Sequence, residues 1–432
     1  METKLERIAD KSANEKRPIF TSLYHLINEE LLKECHKELD GNKAVGVDCV
    51  RKDEYAENLD SNIKDLATRL KNKAYKPAPS LRVYIPKGNG KMRPLGISTY
   101  EDKIVQLALK KLLEAIYEPK FLNCMYGFRP NRNCHKAIKY MDKRMYTGRI
   151  NYIVDADIKG FFNHINHEWM IKFLEYNIKD SNIIWLIKKY LKAGIMDKGT
   201  YVVTEEGSAQ GNIISPILSN IYMHYVLILW YTEIVEKRAG GDTFLVIYAD
   251  DFIAGFQYKS EAEAYYEALQ KRMGKFGLEL ESSKSRLIEF GRYAEGNRRA
   301  RGQGKPETFD FLGFTFYCGK SRKGNFLIKL KTSGKKFGQK MKDMKEWLYE
   351  NRGMKVKDLM HKLNIKLEGH YRFYGMSSNF RMLNNYRLRT IELLFKILNR
   401  RSNKKSYNWE GFKEMIKYYK IAYPKIYISL YE

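Results

Sequence analysis

Two apolar runs meet at a pair of acidic residues in the stretch FLVIYADDFIAGF, residues 244–256. Short runs rich in aromatic and β-branched side chains, broken by a polar pair, predict two buried strands joined by a tight turn. Asp250 and Asp251 occupy that turn. Adjacent carboxylates beside buried strands repel each other and are costly to desolvate. The pattern therefore predicts either a solvated hairpin turn or a positive group placed against the pair.

A second acidic pair lies in the earlier stretch YIVDADIKGFF. In a strand, the two-residue period puts Asp155 and Asp157 on one face and Val154, Ala156 and Ile158 on the other. Either acidic pair alone is commonly a solvated turn. Two apolar strands that both end in carboxylates, once brought together, predict a site for two divalent cations, because hard cations prefer oxygen ligands. Two such ions ~4 Å apart can activate a 3′-hydroxyl and stabilise a leaving pyrophosphate.

The rest of the pattern predicts mixed α and β structure up to about residue 300, followed by helices alone from about residue 333. Helical spacing is present in SLYHLINEELLKECHKEL and in YEDKIVQLALKKLLEAIYE, and LRVYIPKGNGKMRPLGI predicts a hairpin with a Gly-Asn-Gly turn. Three further amphipathic helices are predicted in KKFGQKMKDMKEWLYE, KVKDLMHKLNIKLEGHYRFYG and YRLRTIELLFKILNRR.

The net charge of the chain is the strongest indication of its binding partner. The 432 residues, enough for two or three domains, contain 78 Lys and Arg against 51 Asp and Glu, a net charge of +27. Residues 320–432 hold 28 basic and 9 acidic residues. Such an excess favours a polyanionic partner. Because the sequence shows no membrane-length apolar run, signal peptide or lipidation motif, a nucleic acid is favoured over a membrane surface.

The five cysteines are scattered, without a Cys-x2-Cys pair. This spacing argues against a disulfide framework and a zinc site, and it favours a reducing cytoplasm.

The stretches YADD, VDADIKGFF and GSAQGNIISPILSNIYMHYV resemble the palm motifs of reverse transcriptases. The resemblance is to the bacterial group II intron reverse transcriptase/maturases. Five more blocks agree in the order of that family: VGVD, YIPKGNGKMRPLGI, YGFRPNRNCHKAI, LELESSKSRLIEFG and FDFLGFTF. The similarity extends from about residue 18 to the end of the sequence.

This resemblance implies an α+β right-hand polymerase fold, with fingers and a palm built on a small antiparallel sheet. An all-helical thumb or maturase (X) domain and a basic C-terminal segment then follow. The implied divisions are an N-terminal extension and fingers (1–140), a palm with parts of the fingers (141–332), the helical thumb (333–385) and a DNA-binding-like segment (386–432).

Residue roles carried to matching positions follow from the resemblance alone. Asp157, Asp250 and Asp251 are implied to be catalytic and, with Ile158, to hold two Mg²⁺ ions, for which Mn²⁺ can substitute; Asp155 is a supporting residue. The implied dNTP contacts are Lys87, Arg93, Phe162, Gln210 and Lys284. The implied nucleic-acid contacts are Arg129, Gly211, Lys335, Lys336, Arg400 and Arg401.

Several of these positions carry a specific expectation. Phe162 matches the steric gate, whose ring collides with a ribose 2′-hydroxyl and so selects dNTPs. Lys87 and Arg93 match the residues that grip the triphosphate. Lys284 matches a lysine that protonates pyrophosphate, with a plain surface lysine as its alternative.

The leading interpretation is an RNA-directed DNA polymerase encoded by a group II intron. Its implied partners are the structured intron RNA, which it helps to splice and copies into DNA during retrohoming, a DNA primer or target, and dNTPs. No membrane is implied, and the expected location is the bacterial cytoplasm, associated with the nucleoid. The alternatives are a related polymerase recruited to anti-phage defence or DNA repair, and a maturase that only folds RNA. An RNA-directed RNA polymerase is disfavoured by Phe162.

The sequence also departs from the family pattern. Ser208 and Ala209 replace a usual Thr-Pro before Gln210, and Asn212 replaces the second of two usual glycines after it. The cysteine pairs and histidines of an HNH endonuclease are missing, so cleavage of a target strand is not expected.

Overall fold

The computed structural model describes residues 2–86, 92–207, 210–401 and 407–431. Strands are numbered β1–β11 in chain order: Ser80–Pro86, Met92–Ile97, Tyr152–Asp157, Ile195–Asp197, Thr200–Val202, Thr243–Tyr248, Asp251–Phe256, Arg286–Glu289, Phe309–Phe311, Phe314–Lys320 and Phe326–Thr332.

Helices α1–α8 are Glu2–Asn14, Glu29–Glu38, Lys52–Ala56, Leu59–Lys71, Tyr100–Tyr117, Cys134–Thr147, His167–Asn177 and Ser181–Leu191. Helices α9–α16 are Ser215–Met223, Glu236–Arg238, Lys259–Lys275, Ala294–Ala300, Gly334–Glu350, Val356–Tyr374, Phe380–Leu398 and Trp409–Tyr418. Between α9 and α10 the chain continues through the π-helical turns His224–Ile228 and Tyr231–Val235.

The central sheet has the strand order β6-β7-β3-β8, and all its neighbours are antiparallel. The predicted hairpin is confirmed as β6 and β7, and the predicted strand before Asp157 is confirmed as β3. In the register of β3 and β7, Asp155 lies opposite Ile253 and Asp157 lies opposite Asp251.

This sheet separates two apolar cores. On β3, Val154 and Ala156 belong to the core built with helices α5, α7, α8, α9 and α11, whereas Ile153 belongs to the core built with α6 and the C-terminal helices. The alternation confirms the predicted two-residue period. It also puts Asp155 and Asp157 on the face of the sheet that looks toward the C-terminal helices, because they share the face of Ile153.

A second sheet has the order β2-β1-β4-β5 and contains the predicted hairpin. Strands β1 and β2 are antiparallel, with Ile85 opposite Arg93. The predicted Gly-Asn-Gly turn lies outside the described residues, as does Lys87. Strand β4 joins β1 in parallel and pairs antiparallel with β5.

A third, three-stranded sheet of order β11-β10-β9 leads into the C-terminal helices. The three predicted helices are confirmed as α13, α14 and α15, and α16 follows them. Buried residues of all four helices share one core with β9–β11 and with one face of the central sheet. The predicted boundary at residues 385 and 386 falls within α15, so the two C-terminal divisions share a helix.

The first predicted helix is wrong over its N-terminal half. Residues 24–26 form a single 3-10 turn, and α2 begins only at Glu29, after the side chain of Asn28 accepts a hydrogen bond from Leu31 N–H. The Asp180 carboxylate accepts hydrogen bonds from the backbone N–H groups of Leu23 at 2.6 Å and Tyr24 at 2.8 Å. The N–H groups of Leu23 and Tyr24 are therefore bonded to a side chain distant in sequence, and the helix begins only after them.

Two further expectations can be compared with the described residues. No helix in the described ranges is both long and apolar enough to cross a bilayer. The five cysteines are free thiols. The mixed α and β composition with small sheets is confirmed, with an antiparallel central sheet, and the assignment of α13–α15 to a thumb stays a prediction.

Asp142 provides a test of this packing. Its carboxyl group lies on α6 and is only 7% exposed, and burial raises its pKa to about 7. Because the folded pKa is above the unfolded value, the free energy of unfolding should fall as the pH rises from about 4 to about 7. We expect Asp142→Asn to match the wild type in stability at pH 4 and to exceed it by ~1 kcal/mol or more at pH 8.

Urea unfolding at both pH values measures this difference. The matched control is Asp60→Asn, because the hydrogen bond from Lys33 lowers the pKa of that carboxyl group and this variant should therefore gain no stability at pH 8. A stability gain that is equal at pH 4 and pH 8 would contradict the assignment of the raised pKa to Asp142.

Candidate active site

The register of the central sheet brings the acidic residues together. Asp157 ends β3, Asp251 begins β7 directly opposite it, and Asp250 precedes Asp251 in the hairpin turn. Ala249 has a left-handed backbone, with φ +59°, which lets the two strands reverse direction within the turn. The two acidic pairs that the sequence pattern singled out are therefore neighbours in the fold.

A positive group does stand against the carboxylates. The Lys284 amine donates a hydrogen bond to the Asp157 carboxylate, and this bond raises the pKa of Lys284. Burial, followed by the charges of Asp250 and Asp157, raises the pKa of Asp251 to about 6, against the opposing effect of Lys284 and Lys336. Positive charge therefore lies near the turn, whose Asp251 is itself exposed.

The donor atoms at this sheet end fit magnesium. Carboxylate oxygens are the hard ligands that Mg²⁺ prefers, and Mg²⁺ is commonly held by one or two carboxylates together with substrate phosphates and water. In the described ranges, no three His, Cys, Asp or Glu side chains form a ready metal cage. Asp157, Asp250 and Asp251 offer oxygen donors of the type that Mg²⁺ prefers, without forming a cage by themselves. Ile158, whose side chain is buried, has only its main-chain carbonyl oxygen to offer.

Asp155 occupies the deeper position on the same face. Burial raises its pKa to about 7, and the Arg286 guanidinium, 4.0 Å from the Asp155 carboxylate, opposes that rise. The supporting role predicted for Asp155 is compatible with this place behind Asp157 on the strand.

Phe162 follows β3 in a short 3-10 turn that Gly160 opens with a left-handed φ of +56°. Phe161 points into the core, whereas Phe162 is half-buried. The Phe162 ring meets Phe161 edge-on, with 5.5 Å between ring centroids, and meets Phe128 edge-on at 6.5 Å. A half-exposed ring five residues after Asp157 is compatible with the predicted steric gate.

The hairpin of β6 and β7, whose turn carries Asp250, is contacted along one edge by residues 124–127. Ile247 N–H donates to the Cys124 carbonyl at 2.8 Å, and Tyr126 N–H donates to the Ile247 carbonyl at 2.9 Å. A Cβ on Gly127 would collide with the backbone nitrogen of Ala249, so only glycine permits this approach. The segment YGF thus fixes the turn that carries Asp250.

The Gln210 segment is anchored to the hairpin sheet. Gly96 N–H donates to the Gln210 carbonyl at 2.7 Å, and Gly211 has φ +118°. A Cβ on Gly211 would lie 2.6 Å from the Gly96 oxygen, which explains the glycine by close backbone contact. Gly211, predicted to contact nucleic acid, therefore also has a structural reason to be glycine.

A buried polar network fixes the residues that follow. The Asn212 side-chain oxygen accepts hydrogen bonds from Ser98 Oγ at 2.9 Å and Ser80 Oγ at 3.2 Å. Gln106 donates to Ser98 Oγ at 2.9 Å and accepts from Ile213 N–H at 2.9 Å. Asn212, one of the departures from the family pattern, thus links β1, β2 and α5 to this segment.

Arg129 corrects one prediction. It was predicted to contact nucleic acid, but its side chain is buried, with the residue 7% exposed. Its Nε donates to Glu118 Oε1 at 2.9 Å, and Nη1 donates to the carbonyls of Leu122 at 2.7 Å and Met125 at 3.1 Å. A guanidinium whose donors are used in this way stabilises a loop and cannot bind phosphate without breaking it.

The other predicted basic contacts are more accessible. Arg93, Lys335, Lys336 and Arg400 are exposed. Arg401 is half-buried, and its Nε and Nη2 have no hydrogen-bond partner among the described residues. The structure thus brings Lys284 and Lys336 near the carboxylates, while Arg400 and Arg401 follow the C-terminal end of α15.

Three residues that support the site are not identified by the sequence pattern. Asn212 stands out there only as a departure from the family, Gln106 does not stand out, and Phe128 is only part of a motif block. The glycine of YGF is the available signal for this loop, because glycine often marks a place where another part of the structure approaches the backbone closely.

In the central sheet, a strand that ends in a carboxylate lies beside a hairpin that carries two more. This arrangement is typical of the palm of a nucleic-acid polymerase. The family described as Reverse transcriptase (RNA-dependent DNA polymerase) matches residues 85–316, more than half of the chain. The chain belongs to the reverse transcriptase family. The family resemblance predicted from the sequence motifs is confirmed.

Curated relatives point to the intron-encoded branch. The chain is 40% identical over 222 residues to the Group II intron-encoded protein LtrA of Lactococcus lactis subsp. cremoris, covering 51% of this chain and 37% of that protein. It is 37% identical over 187 residues to Protein YkfC of Escherichia coli (strain K12), covering 43% and 49%. It is 28% identical over 297 residues to the Putative COX1/OXI3 intron 2 protein of Saccharomyces cerevisiae, covering 68% and 32%. The matched regions span about a third to a half of these relatives.

The Asn212 network yields a prediction. We expect Asn212→Ala to lower the free energy of unfolding by ~1–3 kcal/mol, because two buried hydroxyl groups lose their acceptor. Urea unfolding measures the loss. Ser80 Oγ bonds to Asn212, so Ser80→Ala should cost less in the Asn212→Ala background than in the wild type. Strictly additive losses would contradict the network.

Proposed function

We propose that the protein is an RNA-directed DNA polymerase that extends a DNA primer with dNTPs on an RNA template by two-metal nucleotidyl transfer. The observation that carries the proposal is the register pair of Asp157 and Asp251, with Asp250 beside it and Lys284 against it. Membership of the reverse transcriptase family supports the same chemistry.

Each residue of the site has a proposed role that follows from its position. Asp157, Asp250 and Asp251 would hold the divalent ions, and the Ile158 carbonyl would be a further oxygen donor. Bound Mg²⁺ supplies positive charge that activates the primer 3′-hydroxyl and stabilises the leaving pyrophosphate. Lys284 lies within reach of Asp157 and carries a proton that it can give to pyrophosphate. Phe162 restricts the sugar, Arg93 and Lys87 bind the triphosphate, and Gln210 supports the nascent base pair.

We further propose that the preferred RNA is a group II intron, which the protein binds to assist splicing and copies during retrohoming. The similarity to the Group II intron-encoded protein LtrA supports this choice. The excess of 28 basic over 9 acidic residues in 320–432 supports a polyanionic ligand for the C-terminal helices, with Lys335, Lys336, Arg400 and Arg401 among the contacts.

A second candidate is a related polymerase recruited to another role, such as defence or repair. The altered residues around Gln210, above all Asn212 with its own hydrogen-bond network, favour keeping it. Sequencing the RNA that copurifies with the protein from its native cells separates the two. A bound group II intron RNA supports the first candidate, and an unrelated structured RNA supports the second.

Removal of a metal ligand tests the chemistry. We expect Asp250→Ala to lower DNA synthesis on a poly(rA) template with an oligo(dT) primer by at least ~10³-fold, because metal clamps contribute several kcal/mol to the transition state. RNA affinity, measured by filter binding, should stay unchanged. Asp60→Ala, at an exposed carboxylate paired with Lys33, is the matched control. Full synthesis by Asp250→Ala would overturn the assignment.

The gate residue gives an independent prediction. We expect Phe162→Ala to raise kcat/KM for rNTPs by ~10-fold or more while dNTP incorporation persists, because the smaller side chain leaves room for a 2′-hydroxyl. Single-nucleotide extension with paired dNTP and rNTP measures the ratio. Phe412→Leu, at a buried position of α16 in the core of the C-terminal helices, should keep the wild-type ratio. An unchanged ratio in Phe162→Ala would contradict the gate.

A further inference from the structure

Phe128 combines three features that rarely occur together. Its side chain is 51% exposed, its backbone is left-handed with φ +57°, and its ring lies edge-on to Phe162, with 6.5 Å between centroids and 77° between ring planes. A left-handed backbone is unfavourable for a bulky residue. An exposed ring gains little from burial. Local stability therefore does not explain a phenylalanine here, and strain of this kind is characteristic of functional positions.

The neighbours of Phe128 impose its conformation. On one side, Gly127 packs against the backbone of Ala249, and its carbonyl accepts a hydrogen bond from the buried Asn220 amide at 2.9 Å. On the other side, the Arg129 guanidinium is buried and bonded to Glu118 and to backbone carbonyls. Two fixed residues thus hold the backbone of Phe128 in place, with its ring edge-on to Phe162.

This position connects the two catalytic elements. Phe162 follows β3, which ends in Asp157, and Gly127 contacts Ala249, which precedes Asp250. Phe128 is therefore joined by its backbone to the catalytic turn and by its ring to the gate. Phe161 supports the gate ring from the core side, 5.5 Å away, and Phe128 is its aromatic neighbour on the exposed side.

We infer that Phe128 is a positioning residue that holds the gate ring of Phe162 and thereby sets the discrimination between deoxyribonucleoside and ribonucleoside triphosphates. Edge-to-face aromatic pairs are directional, so Phe128 restricts the orientations that the Phe162 ring can adopt. Without that support the gate ring turns aside and admits a 2′-hydroxyl. The inference rests on the proposed function, because it concerns the sugar selectivity of the same site.

The test uses Phe128→Gly, Phe162→Ala and the double variant in the full chain. Glycine adopts the left-handed backbone without strain, so Phe128→Gly should not lower Tm. We expect Phe128→Gly to lower the ratio of kcat/KM for dTTP over UTP by ~5-fold or more, which is the ratio that Phe162 controls. In the Phe162→Ala background, the same change should have no further effect on the ratio. Phe128→Tyr, which keeps the ring, should retain the wild-type ratio.

Each outcome separates the inference from the proposed function. A wild-type protein that incorporates neither dTTP nor UTP overturns the proposed polymerase itself. An active wild type with an unchanged ratio in Phe128→Gly overturns the inference alone. Equal losses in the wild-type and Phe162→Ala backgrounds also overturn it, because Phe128 would then act on the nucleic acid directly. If Phe128→Gly folds poorly, Phe128→Asn, which also tolerates a left-handed backbone, replaces it.

Discussion

The crowding of negative charge where β3 meets β7 is the constraint on which the rest of the site depends. Asp157 and Asp251 face each other across antiparallel strands, and Asp250 is adjacent to Asp251. Like charges at the ends of buried strands repel, and burial raises the pKa of Asp251 to about 6. Two lysines from separate parts of the chain oppose this repulsion. Lys284 follows α11, and Lys336 lies in the first turn of α13. The same crowding of carboxylates suits the divalent ions that we propose for this site.

The sheet can hold such a site because both of its faces are packed. One core fills the side of Val154 and Ala156, and the other fills the side of Ile153. With the strands fixed from both sides, their ends keep a defined separation, as a catalytic constellation requires. The segment from Cys124 to Phe128 adds an edge contact to β6 and reaches from the acidic turn to the Phe162 ring. The acidic turn and Phe162 are therefore joined by contacts with one loop.

Much of this could be predicted from the sequence, and the exceptions have identifiable causes. The strand period around Asp155 and Asp157 was visible because one face of the strand is apolar. The helix expected to start near Leu23 failed because Asp180, distant in sequence, binds the backbone there. Arg129 was assigned to nucleic acid because a buried structural arginine and a phosphate-binding arginine look the same in a motif. Its partner Glu118 became apparent only in three dimensions.

By itself the sequence determined most of the predicted strands and helices, the excess of positive charge, the family and the candidacy of the three central carboxylates. These properties depend on local period, composition and motif order, all of which are readable along a chain. Only the tertiary structure decided the register that pairs Asp157 with Asp251, the lysines set against them, the Asn212 network and the contact of Phe128 with Phe162. Each of these joins residues far apart in sequence, and such pairings are fixed by how two cores pack around one sheet.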